Sequence, residues 1–129
     1  MVKKIKFPQF NSYALEGDSI TWEKEGFTLI ARLQYDTDTK PMQYECYSPL
    51  KIKQWRNDGW FYVGVIVSIV KNGVMLDAHA CSLWGVECNY NKTSNKYLAN
   101  AAVDMEDEVV EVGKREVERM IKALQTVTS

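Results

Sequence analysis

The stretch WFYVGVIVSIV, residues 60–70, constrains the fold more than any other part of the chain. Each odd-numbered position in it carries an apolar side chain, and β-branched residues dominate the stretch. This period of two predicts a long β-strand with one face in the core. The Asn72-Gly73 dipeptide that follows favours a two-residue hairpin turn, because both residues tolerate positive φ. We therefore expect a β-hairpin at the centre of the fold.

The return strand of this hairpin is predicted over residues 74–84, VMLDAHACSLW, with Gly85 marking its end. Its even-numbered set is apolar and has small residues in the middle, which a helix lying close across a sheet requires. We expect the members of this set to face that helix: Val74, Leu76, Ala78, Ala80, Ser82 and Trp84. The odd-numbered residues, including His79 and Cys81, would then lie on the opposite face.

A second hairpin is predicted nearer the N-terminus. Ile20 and Trp22 alternate with polar neighbours, and residues 27–35 repeat the alternation over a longer run. The dipeptide at positions 25–26, Glu-Gly, separates the two runs and is typical of a tight turn. Residues 3–7 could add a short edge strand.

Two helices complete the expected secondary structure. A short one should cover residues 49–56, because Ser48 offers a capping hydroxyl and Pro49 suits the first helical position. A long one should cover residues 97–124, where apolar residues recur with a period near 3.6. Together these elements predict a single α+β domain over residues 1–129. It would be a two-layer sandwich, an antiparallel sheet of two hairpins with one long C-terminal helix, in the order ββαββα.

The long helix also bears on assembly. It would be about 42 Å long, whereas a domain of this size has a diameter of roughly 36 Å. In one arrangement, Gly113 allows a bend or close packing, so that the whole helix stays on the domain. In the other, the last turns of the helix project beyond the domain. We expect a homodimer through the C-terminal half of this helix, which would bury Val117, Met120, Ile121 and Leu124.

Composition narrows the possible functions. Sixteen basic and seventeen acidic residues leave a net charge of −1, which argues against a nucleic-acid partner, above all a duplex. No uncharged apolar run is long enough to span a bilayer, and no apolar segment follows the N-terminal lysines as in a signal peptide. Three cysteines are an odd number, which fits free thiols in a reducing cytoplasm. The sequence thus predicts a cytoplasmic protein with no membrane partner.

The segment HACSLWGVEC, residues 79–88, raises the question of catalysis or metal binding. The four residues Cys46, His79, Cys81 and Cys88 have the composition of a Cys₃His zinc site. Their spacing lacks the compact Cys-x₂₋₄-Cys knuckle of structural zinc sites, and no nucleophile motif or paired carboxylates accompany them. We expect no metal, no cofactor and no catalytic residues, with metal- or thiol-dependent catalysis as an alternative.

A binding surface is predicted on the sheet face opposite the long helix. Its candidate binding residues are Arg32, Trp60, Tyr62 and His79. An exposed aromatic and polar face of this kind could contact a protein or stack the bases of a single strand. In the alternative arrangement, the loop over residues 36–48 folds across this face and covers it with Tyr44 and Tyr47.

Several stretches resemble a family of short proteins encoded by bacterial phages and mobile elements. The resemblance rests on WRNDGWFYVGVIV, the KNG turn and SLWGVE, and it covers roughly residues 26–98. The family has no established activity, so it implies no catalytic residues. It does imply a protein that binds a host protein complex, for example as an inhibitor of a nucleic-acid-processing defence system.

These observations lead to three hypotheses. The first is a non-enzymatic, phage-type protein-binding module, and the second is a single-stranded nucleic-acid binder that uses the sheet face. The third is a metal- or thiol-dependent enzyme built around the reactive residues of segment 79–88.

Overall fold

The computed structural model describes residues 7–91 and 95–127. The chain forms an α+β fold with four strands, one long helix, one short helix and a 3-10 turn. Its elements are β1 (Ser19–Lys24), β2 (Phe27–Tyr35), the 3-10 turn (Pro41–Gln43), α1 (Pro49–Arg56), β3 (Phe61–Lys71), β4 (Val74–Cys88) and α2 (Lys96–Val127). The observed order differs from the expected ββαββα by the 3-10 turn. The edge strand considered for residues 3–7 lies, apart from Phe7, outside the described residues.

Both hairpins have the predicted two-residue turns. Glu25 and Gly26 adopt φ values of 49° and 82°, and Asn72 and Gly73 adopt 49° and 77°. Positive φ at both central residues is the signature of the type I′ turn, whose twist matches that of the flanking strands. The strands form one antiparallel sheet in the order β1-β2-β3-β4, so β4 lies at an edge.

The core lies between one face of this sheet and α2. The odd-numbered residues of β2 and β3 face the helix, and Val65 in the middle of β3 is fully buried. From the helix, Leu98, Ala102 and Val109 pack against them. Because the alternation in both strands is regular, a single apolar face forms, and a helix with a 3.6 period can cover it.

Close packing explains the glycine in the middle of α2. A Cβ atom added to Gly113 would overlap Cδ1 of Ile69 and would lie 3.2 Å from Cε1 of Phe27. The helix is continuous through this position and extends to Val127. Val117 and Met120 still pack against the core beyond Gly113, whereas Ile121 and Leu124 are 50% and 70% exposed. The last turns therefore present apolar side chains to solvent.

The prediction for β4 was wrong in its end point and in the facing of residues 81–84, whereas Leu76 and Ala80 pack with the core as predicted. The strand does not stop at Gly85 but continues to Cys88, and its pairing with β3 shifts register in three places. Each odd insertion inverts the alternation of side chains between the two faces. Ser82 and Trp84 therefore lie on the face opposite α2. Cys81, expected there, lies on the helix side and contacts Glu108.

Candidate functional site

A bulge in β4 organises the end of the sheet beside the loop over residues 36–48. The ring of Trp84 lies on Gly64 of β3, and a Cβ atom at position 64 would overlap that ring. Gly85 follows with a φ of 72°, a conformation that favours glycine. Its N–H donates to Oδ2 of Asp36 at 2.8 Å, which ties the bulge to the end of β2.

Two of the four predicted binding residues, Arg32 and His79, lie on the sheet face opposite α2. Nη1 of Arg32 donates to Oγ of Ser68 and to the carbonyl of Ala78, both at 2.9 Å, so its guanidinium is engaged within the fold. His79 is exposed, and its Nε2 lies 2.8 Å from Oγ of Ser82. His79 therefore remains accessible to a partner, whereas Arg32 offers only part of its hydrogen-bonding capacity.

The other two, Trp60 and Tyr62, are buried, so the covered arrangement is the one observed at this end of the sheet. The ring of Tyr47 stacks on Trp60 with centroids 5.3 Å apart, and it meets Tyr62 edge-on at 6.5 Å. Nε1 of Trp60 donates to the carbonyl of Lys51 in α1 at 2.9 Å. Trp60 and Tyr62 cannot reach a partner unless this cover moves.

Under the cover, a carboxylate and two tyrosine hydroxyls come together. The Tyr47 hydroxyl donates to Oε2 of Glu87 through a short hydrogen bond. Burial and this bond to a carboxylate both raise the pKa of Tyr47. Burial also raises the pKa of Tyr62, whose hydroxyl has no hydrogen-bond partner within the described part of the chain. A buried hydroxyl without a partner is costly and draws attention to the space beside it.

That space is a cavity of about 500 Å³ at the β4 edge. Tyr62 and Glu87 line it, together with the exposed rings of Tyr44, Trp84 and Tyr97. Within the part of the chain that the structure describes, neither lysine nor arginine lines it. Sequence reasoning missed this site, because it placed Trp84 on the helix side and left Glu87 beyond the strand. The sequence did contain one signal of the site. Gly64 lacks a side chain in a strand of mostly large residues, and the Trp84 ring lies at that position.

A second cavity, of about 710 Å³, lies on the other side of Tyr62 near α1. Its walls include the rings of Tyr35 and Trp55, and its charged members are Lys40, Arg56, Asp36 and Asp58. Two positive and two negative side chains give this cavity no preference for a ligand of one charge.

The reactive residues of segment 79–88 do not converge. Cys81 donates to Oε2 of Glu108 at 3.4 Å on the helix side, whereas His79 lies on the opposite face. Cys88 is buried against the carbonyl of Ala14, and Cys46 is exposed in the loop. Within residues 7–91 and 95–127, no three His, Cys, Asp or Glu side chains are grouped as metal ligands.

The thiols near this segment are also poorly suited to act as nucleophiles. Burial raises the pKa of Cys88 to about 12. Burial raises the pKa of Cys81 as well, and its contact with the Glu108 carboxylate adds to the effect. Because the thiolate is the reactive form, both groups are held mainly in the unreactive thiol form at neutral pH.

The edge strand β4 exposes several apolar side chains. This strand has 15 residues and, among the described residues, pairs only with β3. Its large exposed hydrophobic side chains are Val74, Met75, Leu83 and Trp84. An edge strand with free main-chain groups and apolar side chains is a template for pairing with another chain.

Comparison of the chain with protein-family models, curated proteins and solved structures finds no match in any of the three. No helix among the described residues combines the length and the apolar character needed to cross a bilayer.

Proposed function

We propose that this protein is a non-enzymatic protein-binding module that contacts its partner through the outer edge of β4. The observation that carries the proposal is a 15-residue edge strand with two pairs of exposed apolar side chains, Val74 and Met75 at the hairpin turn and Leu83 and Trp84 at the bulge. Such an edge can accept an extended segment by main-chain hydrogen bonding, while its side chains contribute apolar contact. Large exposed apolar patches are otherwise uncommon on monomeric proteins.

The sharper version of the proposal is a phage-type inhibitor of a host defence complex that processes nucleic acid. It rests on the resemblance of the WRNDGW and SLWGVE stretches to proteins of phages and mobile elements. In the second of these stretches, Trp84 and Glu87 lie beside the exposed edge. A bacterial cytoplasmic location accompanies this proposal and is supported by the free thiols of all three cysteines.

The two alternative functions have less support. A single-stranded nucleic-acid binder would need free cations among its aromatic rings, and the guanidinium of Arg32 is engaged with Ser68 and Ala78. A thiol-dependent enzyme would need a reactive thiolate beside a base. Cys81 instead contacts a carboxylate, away from His79.

The proposal is tested by affinity capture from a bacterial lysate with matched lysine substitutions. Leu83→Lys places a charge on the β4 edge, where Leu83 is 48% exposed. Leu50→Lys is the control, because Leu50 is 63% exposed and belongs to α1, not to β4. We expect the parent and Leu50→Lys to capture the same host protein and Leu83→Lys to lose most of it, by tenfold or about 1.4 kcal/mol.

Captured material is measured by quantitative mass spectrometry and by nucleic-acid staining. Recovery of a single strand instead of a protein would support the second hypothesis and contradict the first. Equal capture by Leu83→Lys and the parent would show that the partner contacts another surface.

A further inference from the structure

We propose that the 500 Å³ cavity at the β4 bulge is a binding site for an organic cation, namely an alkylammonium head group such as that of a lysine side chain. The proposal goes beyond the protein-binding function and does not depend on it. It rests on two observations about the described residues: the charge of the cavity and its aromatic walls.

The charge of the cavity favours a cation. Among the described residues that line it, Glu87 is the one carboxylate, and none is a lysine or an arginine. Glu87 accepts a hydrogen bond from Tyr47 through Oε2 and is partly buried. A carboxylate that is partly removed from water and lacks a cationic neighbour attracts a positive ligand more strongly than an exposed one does.

The walls of the cavity also favour a cation. Tyr44, Trp84 and Tyr97 contribute rings that are exposed to solvent around the carboxylate. Aromatic faces attract ammonium groups through the ring quadrupole, and sites for ammonium ligands are commonly built from several such rings. Outside the cavity, one tyrosine already contacts a cation in this way, since Nζ of Lys51 lies 4.2 Å from the ring centroid of Tyr90.

The test uses the full chain and three probes: tetramethylammonium, N-acetyl-lysine methylamide and, as the anionic comparator, acetate. Binding is followed by NMR through the indole N–H of Trp84, which donates to Ser82 at 3.2 Å. We expect the lysine derivative to shift this resonance saturably and acetate to leave it unchanged. If tetramethylammonium also binds, the head group suffices and a free amine can occupy the site. If only the lysine derivative binds, the site takes a side chain presented by a partner.

Two variants make the test specific. Glu87→Gln removes the charge but keeps an acceptor for Tyr47, and it should weaken binding by about fivefold or more. Tyr97→Ala removes a ring that is 65% exposed, so it should weaken binding without affecting folding. Tyr13→Ala is its control, because Tyr13 is 61% exposed and lies outside this cavity.

Circular dichroism shows whether each variant is folded. If Glu87→Gln does not fold, Tyr97→Ala alone is used to test the site. Equal affinity of the parent and Tyr97→Ala, or a response to acetate in place of the two cations, would overturn the proposal.

Discussion

Asp36 connects three parts of the chain that are distant in sequence. Its carboxylate accepts hydrogen bonds from the Thr39 hydroxyl at 2.7 Å and from the N–H groups of Asp38, Thr39 and Gly85. Partial burial disfavours its charged form, but these four hydrogen bonds outweigh that effect and lower the pKa of Asp36. The loop that covers Tyr62 and the bulge that carries Trp84 therefore depend on one carboxylate.

Replacement of Asp36 should lower stability in a pH-dependent way. Because its pKa is lower in the folded state, the carboxylate stabilises the fold above the unfolded pKa, about 3.9. That contribution is lost as the pH falls through the folded pKa. We expect Asp36→Asn to lower the free energy of unfolding at pH 7 by about 1–3 kcal/mol. The difference from the parent should shrink on acidification below about pH 4.

Urea unfolding at pH 7 and at low pH measures both effects. Asp38→Asn is the matched control, since the side chain of Asp38 forms no hydrogen bond with any described residue and should leave stability nearly unchanged. A pH-independent difference between Asp36→Asn and the parent would contradict the role assigned to the charge.

At the scale of elements, Gly113 sets how closely α2 approaches the sheet. Helix propensity by itself favours alanine over glycine by about 1 kcal/mol. Packing opposes it, because the added Cβ would overlap Cδ1 of Ile69 in β3. Overpacking a dense core costs about 1–3 kcal/mol, so the packing effect should exceed the propensity effect.

We therefore expect Gly113→Ala to lower the free energy of unfolding, against its helix propensity. Ile69→Val removes the Cδ1 atom that the new methyl group would meet. In the Ile69→Val background, Gly113→Ala should lower the free energy of unfolding by about 1 kcal/mol less than it does in the parent. A double-mutant cycle followed by chemical denaturation measures this difference. A single Gly113→Ala variant that is more stable than the parent would show that α2 can move away from the sheet at little cost.

At the scale of the whole molecule, α2 is longer than the domain it covers. Its 32 residues correspond to about 48 Å, against a diameter of roughly 36 Å for a chain of this size. The excess lies at the C-terminal end, where Ile121 and Leu124 are exposed and Val117 and Met120 are partly buried. Two copies could cover these side chains by pairing their last turns, which is the homodimer that we propose.

Light scattering at micromolar concentration should therefore give twice the chain mass of 14.9 kDa. Leu124→Glu places a charge in the proposed contact and should return the mass to that of one chain. Leu50→Glu, at a similarly exposed leucine on α1, should leave the dimer intact. A parent protein with the mass of one chain would rule out the dimer and leave the tail available to another partner.

The local pattern of the sequence determined most of the secondary structure. Local pattern predicted two turns, one helix and one strand face: the turns at Glu25-Gly26 and Asn72-Gly73, the helix Pro49–Arg56 and the core face of β3. Each depends on neighbours within a few positions: residues that tolerate positive φ, a capping hydroxyl at Ser48 and strict alternation. The oxygen of that hydroxyl accepts from the N–H of Lys51 at 3.3 Å, as a helix cap requires.

Only the tertiary structure decided which residues share the candidate site. The bulges of β4 arise from its pairing with β3, and each shift by a single residue moves later side chains to the other face, which no alternation within β4 could reveal. The position of the loop over residues 36–48 likewise has no periodic signal. Its contacts with Trp60 and Glu87 are long-range, and they decide that Tyr62 is buried and that a cavity opens at Trp84. Periodicity describes one element at a time, whereas this site forms where three elements meet.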